Sequence, residues 1–141
     1  MRWLSISFVT LWLLAATAQA ASVQALLIRA SNEAGTNDAP LQVLGPKLQK
    51  SFGFKKYEQL GARTDELKLQ KRSRLDLGKG FVVYATEKKT DKKEHELEVE
   101  WYSCKTCLVK TTIKLMPGRQ VFIKGPEVGK EWIILSLDIV K

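Results

Sequence analysis

The sequence predicts an α+β fold in which one N-terminal helix packs on a mainly antiparallel meander sheet of about six strands. Three observations predict this fold. Apolar residues recur at helical spacing in one early segment of the chain. From Tyr57 onward they recur mostly at every second position, which is the period of a half-buried strand. Short runs of turn-forming residues join these segments, as is typical of neighbouring antiparallel strands.

Residues 1–20 have the pattern of a secretory signal peptide. Arg2 is followed by an apolar run over residues 4–14 and by Ala-Gln-Ala at residues 18–20, the small-residue pattern that signal peptidase requires. The apolar run is too short to span a bilayer, which needs about 20 apolar residues. The sequence therefore predicts cleavage near Ala20/Ala21, a secreted or periplasmic location and no transmembrane segment afterwards. Residues 21–141 are enough for a single α+β domain.

The predicted helix follows a buried first strand at residues 23–30 and a polar connection at residues 31–40. Leu41, Leu44, Leu48 and Phe52 are spaced by three, four and four residues, and Gly53 stands where a C-terminal glycine would end a helix. A proline in mid-helix costs about 3 kcal/mol. Because residue 46 is a proline, we expect either a kinked helix or a regular helix only over residues 46–52.

The strands that follow are predicted from alternation and turns. Alternate positions are apolar at Leu67 and Leu69 and again at Leu75 and Leu77, as expected for strands with one buried face. Further strands are expected at residues 81–86, 96–102, 108–115, 120–124 and 132–140. If the apolar row of residues 96–102 faces the core, the residues that pair with it on the next strand must face the core as well. The expected pairs are Leu97 with Ile113, Val99 with Thr111, and Trp101 with Val109. This register predicts a loop of three or five residues centred on Lys105.

Composition limits the class of protein. A hydrophobic content of 45% and a charged content of 27% are ordinary for a globular domain and exclude a disordered tail. The net charge is +8, and removal of Arg2 with the signal peptide leaves 22 basic against 15 acidic residues, a charge of +7. The basic excess lies mainly in residues 47–79. It predicts a surface for an anionic partner, either an envelope protein or a polyanion, with nucleic acid unlikely. The candidate residues are Lys47, Lys50, Lys55, Lys56, Lys68, Lys71, Arg72 and Arg74. The alternative is a solvated face that only aids solubility.

One motif matches a chemical pattern, the Cys-x-x-Cys pair of Cys104 and Cys107. An exported chain favours an oxidised pair, so a structural disulfide is one interpretation. A redox-active dithiol is a second one, and it needs a helix N-terminus or nearby cations to stabilise a thiolate. A zinc site is a third one. It needs four ligands, while the chain offers two cysteines and the single histidine His95.

Other candidate residues have structural interpretations. His95 lies in a charged turn and is predicted to be a surface histidine, with no orienting partner for general-base catalysis. Glu96, Glu98 and Glu100 alternate with a core row, which favours a solvated strand face over a calcium site. The aromatic residues between the lysines of residues 50–57 fit core positions better than a nucleic-acid or membrane surface. The sequence therefore predicts no catalytic residue, no metal and no cofactor.

Several segments resemble an uncharacterised group of small exported bacterial proteins. They are the signal peptide, the first strand with its ALLIRASN sequence, the Phe52-Gly53-Phe54 segment followed by Tyr57 and Leu60-Gly61, and the closing strands at residues 121–126 and 132–135. The resemblance implies a bacterial envelope setting and one α+β domain. It implies no reaction, cofactor or catalytic residue, because none is known for the group.

These observations predict a non-enzymatic exported module that binds or assembles with an envelope partner. Exposed sheet edges are templates for strand addition by such a partner. Two alternatives remain open: a thiol–disulfide redox protein that uses Cys104 and Cys107, and a carrier whose ligand cavity lies between helix and sheet.

Overall fold

The computed structural model describes residues 21–140, so the predicted signal peptide lies outside the described residues. The described chain forms eight strands, one α-helix and a single 3₁₀ turn at Ala39–Leu41. In chain order the elements are β1 (Ser22–Ser31), α1 (Gly45–Phe52), β2 (Lys56–Glu66), β3 (Arg72–Gly78), β4 (Phe81–Asp91), β5 (Glu94–Ser103), β6 (Thr106–Leu115), β7 (Val121–Val128) and β8 (Glu131–Val140). No helix within residues 21–140 has both the length and the apolar content that a membrane crossing requires.

The eight strands form two antiparallel sheets of four strands, so the predicted single meander sheet under one helix is wrong. The first sheet has the order β2-β1-β8-β7 and the second the order β3-β4-β5-β6. The two ends of the domain meet in the first sheet, where β1 pairs with β8 from Ser22↔Val140 to Ala30↔Trp132. The sheets face each other, and the fold is a mainly-β sandwich with one external helix. Alternation shows which face of a strand is buried, but not which element covers that face.

The core of the sandwich contains inward-facing side chains from both sheets. Val23, Ala25, Leu27, Leu135 and Leu137 of the first sheet pack with Leu75, Val83, Leu97, Val99 and Trp101 of the second. The indole ring of Trp101 lies against Gly125 in β7, where a Cβ atom would be 2.3 Å from the ring atom Cη2. Glycine at this position therefore lets the two sheets approach each other around a large ring.

Helix α1 covers the outer face of the first sheet through a second core. Leu44 and Leu48 pack there with Ile28 and Ile134 from the two central strands. The Tyr57 hydroxyl donates a hydrogen bond to the Leu48 carbonyl at 3.0 Å, which fixes the middle of the helix on β2. Phe54 and Tyr57 are buried and Phe52 is partly buried, so the predicted core role of these aromatic residues is confirmed.

The short form of the predicted helix is confirmed. The helix begins at Gly45 and has Pro46 in its first turn, where the missing N–H would have no partner in any case. It ends at Gly53, whose φ of 74° places it in the left-handed region that favours glycine.

The predicted register of β5 and β6 is confirmed, but the predicted loop is wrong. The pairs are Leu97↔Ile113, Val99↔Thr111 and Trp101↔Val109. The strands are joined by a two-residue turn, Cys104-Lys105, instead of a loop of three or five residues. A bulge at Leu108 supplies the extra residue that keeps the apolar row on the core side.

Candidate functional site

The eight basic residues predicted to form one anionic-partner surface divide into two groups on different layers. Lys47 and Lys50 lie on α1, Lys55 lies just before β2 and Lys56 is the first residue of β2; we call these four residues the helix group. Lys68, Lys71, Arg72 and Arg74 lie on the approach to β3 and on β3 itself, and we call them the β3 group. The predicted surface is therefore two surfaces, since α1 packs on the first sheet and β3 belongs to the second.

The β3 group adjoins two tyrosines on the outer face of the second sheet. The Arg72 guanidinium lies over the Tyr84 ring, 3.7 Å from its centre, and donates to Glu100 Oε2 at 3.0 Å. Tyr84 and Tyr102 pack edge to face with ring centres 5.6 Å apart. Stacking on an aromatic face orients a guanidinium without using its outer N–H donors. We call Arg72, Arg74, Tyr84, Tyr102 and Glu100 the arginine–tyrosine face.

Glu100 holds the arginine–tyrosine face together. Its carboxylate accepts from Arg72 and also from the Tyr102 hydroxyl at 3.1 Å. The hydrogen bond to Glu100 raises the pKa of Tyr102, and burial and the negative charge of Glu100 act in the same direction. Tyr102 thus stays a neutral hydrogen-bond donor at physiological pH. As predicted, Glu96, Glu98 and Glu100 alternate with the core row of β5.

Two grooves meet at Arg72 and Arg74. One, of about 380 Å³, is lined by both arginines, both tyrosines, Val82, Cys104 and Lys105. The other, of about 170 Å³, is lined by both arginines, Lys68, Lys71, Ser73, Asp65 and Glu66. The two arginine side chains are 52% and 58% exposed, so their charge is accessible from either groove. Four basic side chains within seven residues give this site a local excess of positive charge.

The two cysteines lie at the tip of the β5–β6 hairpin as free thiols. Both are exposed and no disulfide joins them. Cys104 has a φ of 53° and its amide donates to the Gly80 carbonyl at 2.7 Å, whereas the Cys107 sulfur is 3.7 Å from the Val109 carbonyl oxygen. The structure brings Cys104 to the edge of the arginine–tyrosine groove. No group of three or more metal-ligating side chains is present in residues 21–140.

The prediction that His95 is a surface residue is wrong. His95 and Glu87 are both buried, with His95 Nδ1 3.4 Å from Glu87 Oε2. Thr90 donates a hydrogen bond to the same carboxylate. His95 shares the inward parity of Leu97, so alternation alone could have placed it inside. The pair lies on the inner face of the second sheet, whereas the arginine–tyrosine face lies on its outer face.

A cleft that the sequence did not predict lies beside β8. It has a volume of about 470 Å³ and is lined by Ser31, Asn32, Glu33, Phe54, Glu127, Lys130, Glu131 and Trp132. The Lys124 ammonium lies 3.9 Å from the centre of the Trp132 ring. Three carboxylates against one lysine in the lining make this cleft acidic. The cleft therefore does not suit an anionic partner, although its volume exceeds that of either groove at the arginines.

An ion-pair network at the rim of this cleft gives a pH-dependent prediction. Lys56 donates to Glu58 at 2.8 Å and Arg29 donates to the other carboxylate oxygen, and these hydrogen bonds lower the pKa of Glu58. An unfolded glutamate has a pKa of about 4.3. Because the folded pKa is lower, the stabilisation by Glu58 is fully present above pH 4.3 and is lost as the pH falls through the folded pKa. We expect Glu58→Gln to be less stable than wild type at neutral pH and to lose less stability in acid.

Urea unfolding at neutral pH and at a series of acid pH values measures this difference. Glu127→Gln, at an exposed carboxylate of the same cleft, should follow the wild-type profile. A Glu58→Gln profile parallel to wild type would mean that the network does not contribute to acid sensitivity.

Comparison of the chain with protein-family models, with curated proteins and with solved structures found no match. The resemblance to a group of small exported bacterial proteins stays a prediction, and function is inferred from the site.

Proposed function

We propose that this protein is a non-enzymatic, exported binding module that contacts an anionic partner through the arginine–tyrosine face. The observation that carries the proposal is the stacked and hydrogen-bonded Arg72 beside Arg74, where two grooves meet. The signal-peptide pattern of residues 1–20 supports export. A partner outside the cytosol could be an acidic envelope protein, an acidic polysaccharide or an anionic lipid surface.

The arginines have binding capacity left after their internal contacts. A guanidinium has five N–H donors, and Arg72 uses one of its terminal nitrogens on Glu100 while its flat face rests on Tyr84. Arg74 contacts Asp76 at 3.7 Å with both side chains at least half exposed, and such a pair exchanges readily for another anion. Because Tyr84 and Glu100 already hold the Arg72 guanidinium in place, less conformational entropy is lost when it binds a carboxylate or phosphate.

Neither alternative function is favoured over this proposal. The space between the sheets is occupied by the side chains of the sandwich core, and the clefts described above are surface features. A carrier with a cavity between helix and sheet therefore gains no support, because α1 packs directly on Ile28 and Ile134. The thiol–disulfide alternative rests on two exposed thiols at a hairpin tip, without a helix N-terminus beside them.

A pair of matched double variants tests the proposal. Arg72→Gln/Arg74→Gln removes two positive charges from the arginine–tyrosine face, and Lys50→Gln/Lys55→Gln removes two from the helix group. We expect the arginine variant to bind a polyanion at least about tenfold more weakly, since hydrogen bonds to charged groups contribute about 1.5–3 kcal/mol each. The lysine variant should lose only the smaller, salt-sensitive contribution of net charge.

The probes are polyglutamate, a polyuronic acid, polyphosphate and phosphatidylglycerol vesicles, each titrated at low and at high salt. Preference for one probe identifies the chemical class of the partner. Equal loss of affinity in both double variants would show that only net charge matters, and no binding to any probe at low salt would refute the proposal. Cys104→Ser/Cys107→Ser should bind like wild type. A large loss of binding in that variant would favour the thiol alternative.

A further inference from the structure

Strand β6 is an unpaired edge of the second sheet. It pairs with β5 on one side, and no strand of residues 21–140 pairs with its other side. In an antiparallel strand every second residue directs its N–H and C=O away from the neighbour it already has. The edge therefore presents a row of free backbone donors and acceptors, which is what a strand from another chain requires.

The other three edges are obstructed. Strand β7 is bulged at Gly125 and Pro126, and β2 is bulged at Leu60. Strand β3 is covered by β2, because the Arg63 side chain donates to the Asp76 carbonyl at 3.0 Å and Ser73 donates to the Glu66 carbonyl at 3.4 Å. Strand β6 has its own bulge at Leu108, near the hairpin tip, but residues 109–115 keep an uninterrupted register and contain no proline.

The charges along β6 select the partner. On the outer face the exposed Lys110 and Lys114 are paired within the sheet with Glu100 and Glu96 of β5. On the inner face Val109, Thr111 and Ile113 are only partly buried, so the core row is still open at this edge. An added strand with carboxylates opposite the two lysines would pair with them on the outer face, and apolar residues between the carboxylates would extend the core row on the inner face. Strand β5 does the same on the other side of β6.

A second copy of the chain fits this edge poorly. In the antiparallel pairing of two β6 strands that overlaps them fully around Thr112, Lys110 of one copy lies opposite Lys114 of the other, twice. Like charges directly opposite each other on a sheet are destabilising. Lysines on an edge strand also oppose self-association in general.

We propose that β6 accepts an extended segment of a partner protein in which glutamate or aspartate alternates with apolar residues, and that this segment adds antiparallel to the second sheet. The proposal does not rest on the arginine–tyrosine face, because it uses the free backbone groups of β6, at the other end of the sheet from β3. The two surfaces share one residue, since Glu100 of that face is the cross-strand partner of Lys110. It assigns the two lysines of β6 a role in partner choice beyond that of preventing aggregation.

A short peptide that alternates glutamate and valine tests the proposal, with a lysine–valine peptide as its control. We expect the glutamate peptide, added to isotope-labelled protein, to shift and protect the amide signals of β6. Shifts on β3 report binding of the same acidic peptide at the arginine–tyrosine face and are read separately. Lys110→Glu/Lys114→Glu should reverse the preference, with about tenfold weaker binding of the glutamate peptide and tighter binding of the lysine peptide. Lys50→Gln/Lys55→Gln, which changes the helix group and neither of the two surfaces, should bind the glutamate peptide like wild type.

Three results would overturn the proposal. The first is the absence of any β6 shift at saturating glutamate peptide. The second is equal binding of the two peptides to wild type. The third is concentration-dependent dimerisation through β6 without peptide, measured by sedimentation. The wild-type titration decides the question even where the charge-reversal variant fails to fold. A peptide that shifts only the β3 signals binds at the arginine–tyrosine face instead of β6, and this is one form of the first result.

Discussion

Replacing Gly61 with alanine should lower the free energy of unfolding by about 3 kcal/mol, the upper end of the cost of overpacking. A Cβ atom at this position would lie 2.0 Å from the Leu77 carbonyl oxygen and 3.0 Å from its carbonyl carbon. Both obstructing atoms belong to the backbone of β3, so no side-chain rotation can relieve the clash. The strands β2 and β3 would have to separate where the edges of the two sheets lie against each other.

Gly53→Ala is the matched control for this variant. A Cβ atom at Gly53 would meet nothing within 4 Å, but its φ of 74° makes any larger residue unfavourable. We expect a cost of about 1 kcal/mol there, from backbone conformation alone. Urea unfolding of the two variants separates the steric cost from the conformational one. A loss for Gly61→Ala no greater than that for Gly53→Ala would mean that the two sheets do not approach closely at this junction.

Local features of the chain were predictable because they depend on residues close in sequence. The parity of Leu97, Val99 and Trp101 was enough to predict the register of β6, and Gly53 was enough to predict the end of the helix. The loop prediction failed because the bulge at Leu108 keeps the apolar residues of β6 on the core face, just as a loop with an odd number of residues would. A bulge leaves no mark in the alternation of apolar residues, so the two solutions look the same in sequence.

The division into two sheets was not predictable from alternation. Strand β1 pairs with β8 over Ser22↔Val140, at opposite ends of the described chain, and no local signal specifies such a partner.

The arginine–tyrosine face was predictable only in part, because its contacts also depend on which strands are neighbours in the sheet. The cluster at Lys68, Lys71, Arg72 and Arg74 is contiguous in sequence and stays together in the structure. Its contact with Tyr84 and Tyr102 arises from strands β4 and β5, whose order in the sheet fixes which outer side chains meet.

Replacing Trp101 with alanine should have the largest effect among single core truncations, a loss of about 4 kcal/mol in the free energy of unfolding. The side chain is fully buried between the sheets, and its ring contacts Gly125 on one side and the Phe81 ring, 6.2 Å away between centres, on another. Glycine cannot extend into the space that the lost indole would leave. The cavity would therefore persist, and a persistent cavity is what makes a truncation costly.

Trp101→Phe should cost much less, about 1–2 kcal/mol, for two reasons. Phenylalanine keeps an aromatic ring in the core, and the substitution removes an indole N–H group that makes no hydrogen bond within residues 21–140. Trp101 Nε1 is buried without a hydrogen-bond partner among the described residues. Losing this donor breaks no hydrogen bond and relieves a desolvation cost.

Trp132 provides the control, because it is only partly buried at the acidic cleft. Thermal and urea unfolding should rank the loss of stability as Trp101→Ala first, Trp132→Ala second and Trp101→Phe last. A Trp101→Phe variant as unstable as Trp101→Ala would mean that the indole N–H has a partner that stabilises the fold. A Trp101→Ala variant no less stable than Trp132→Ala would contradict the position of Trp101 at the centre of the sandwich. The close contact between Trp101 and Gly125 links the two sheets, so its loss should also loosen the sheet that carries the arginine–tyrosine face.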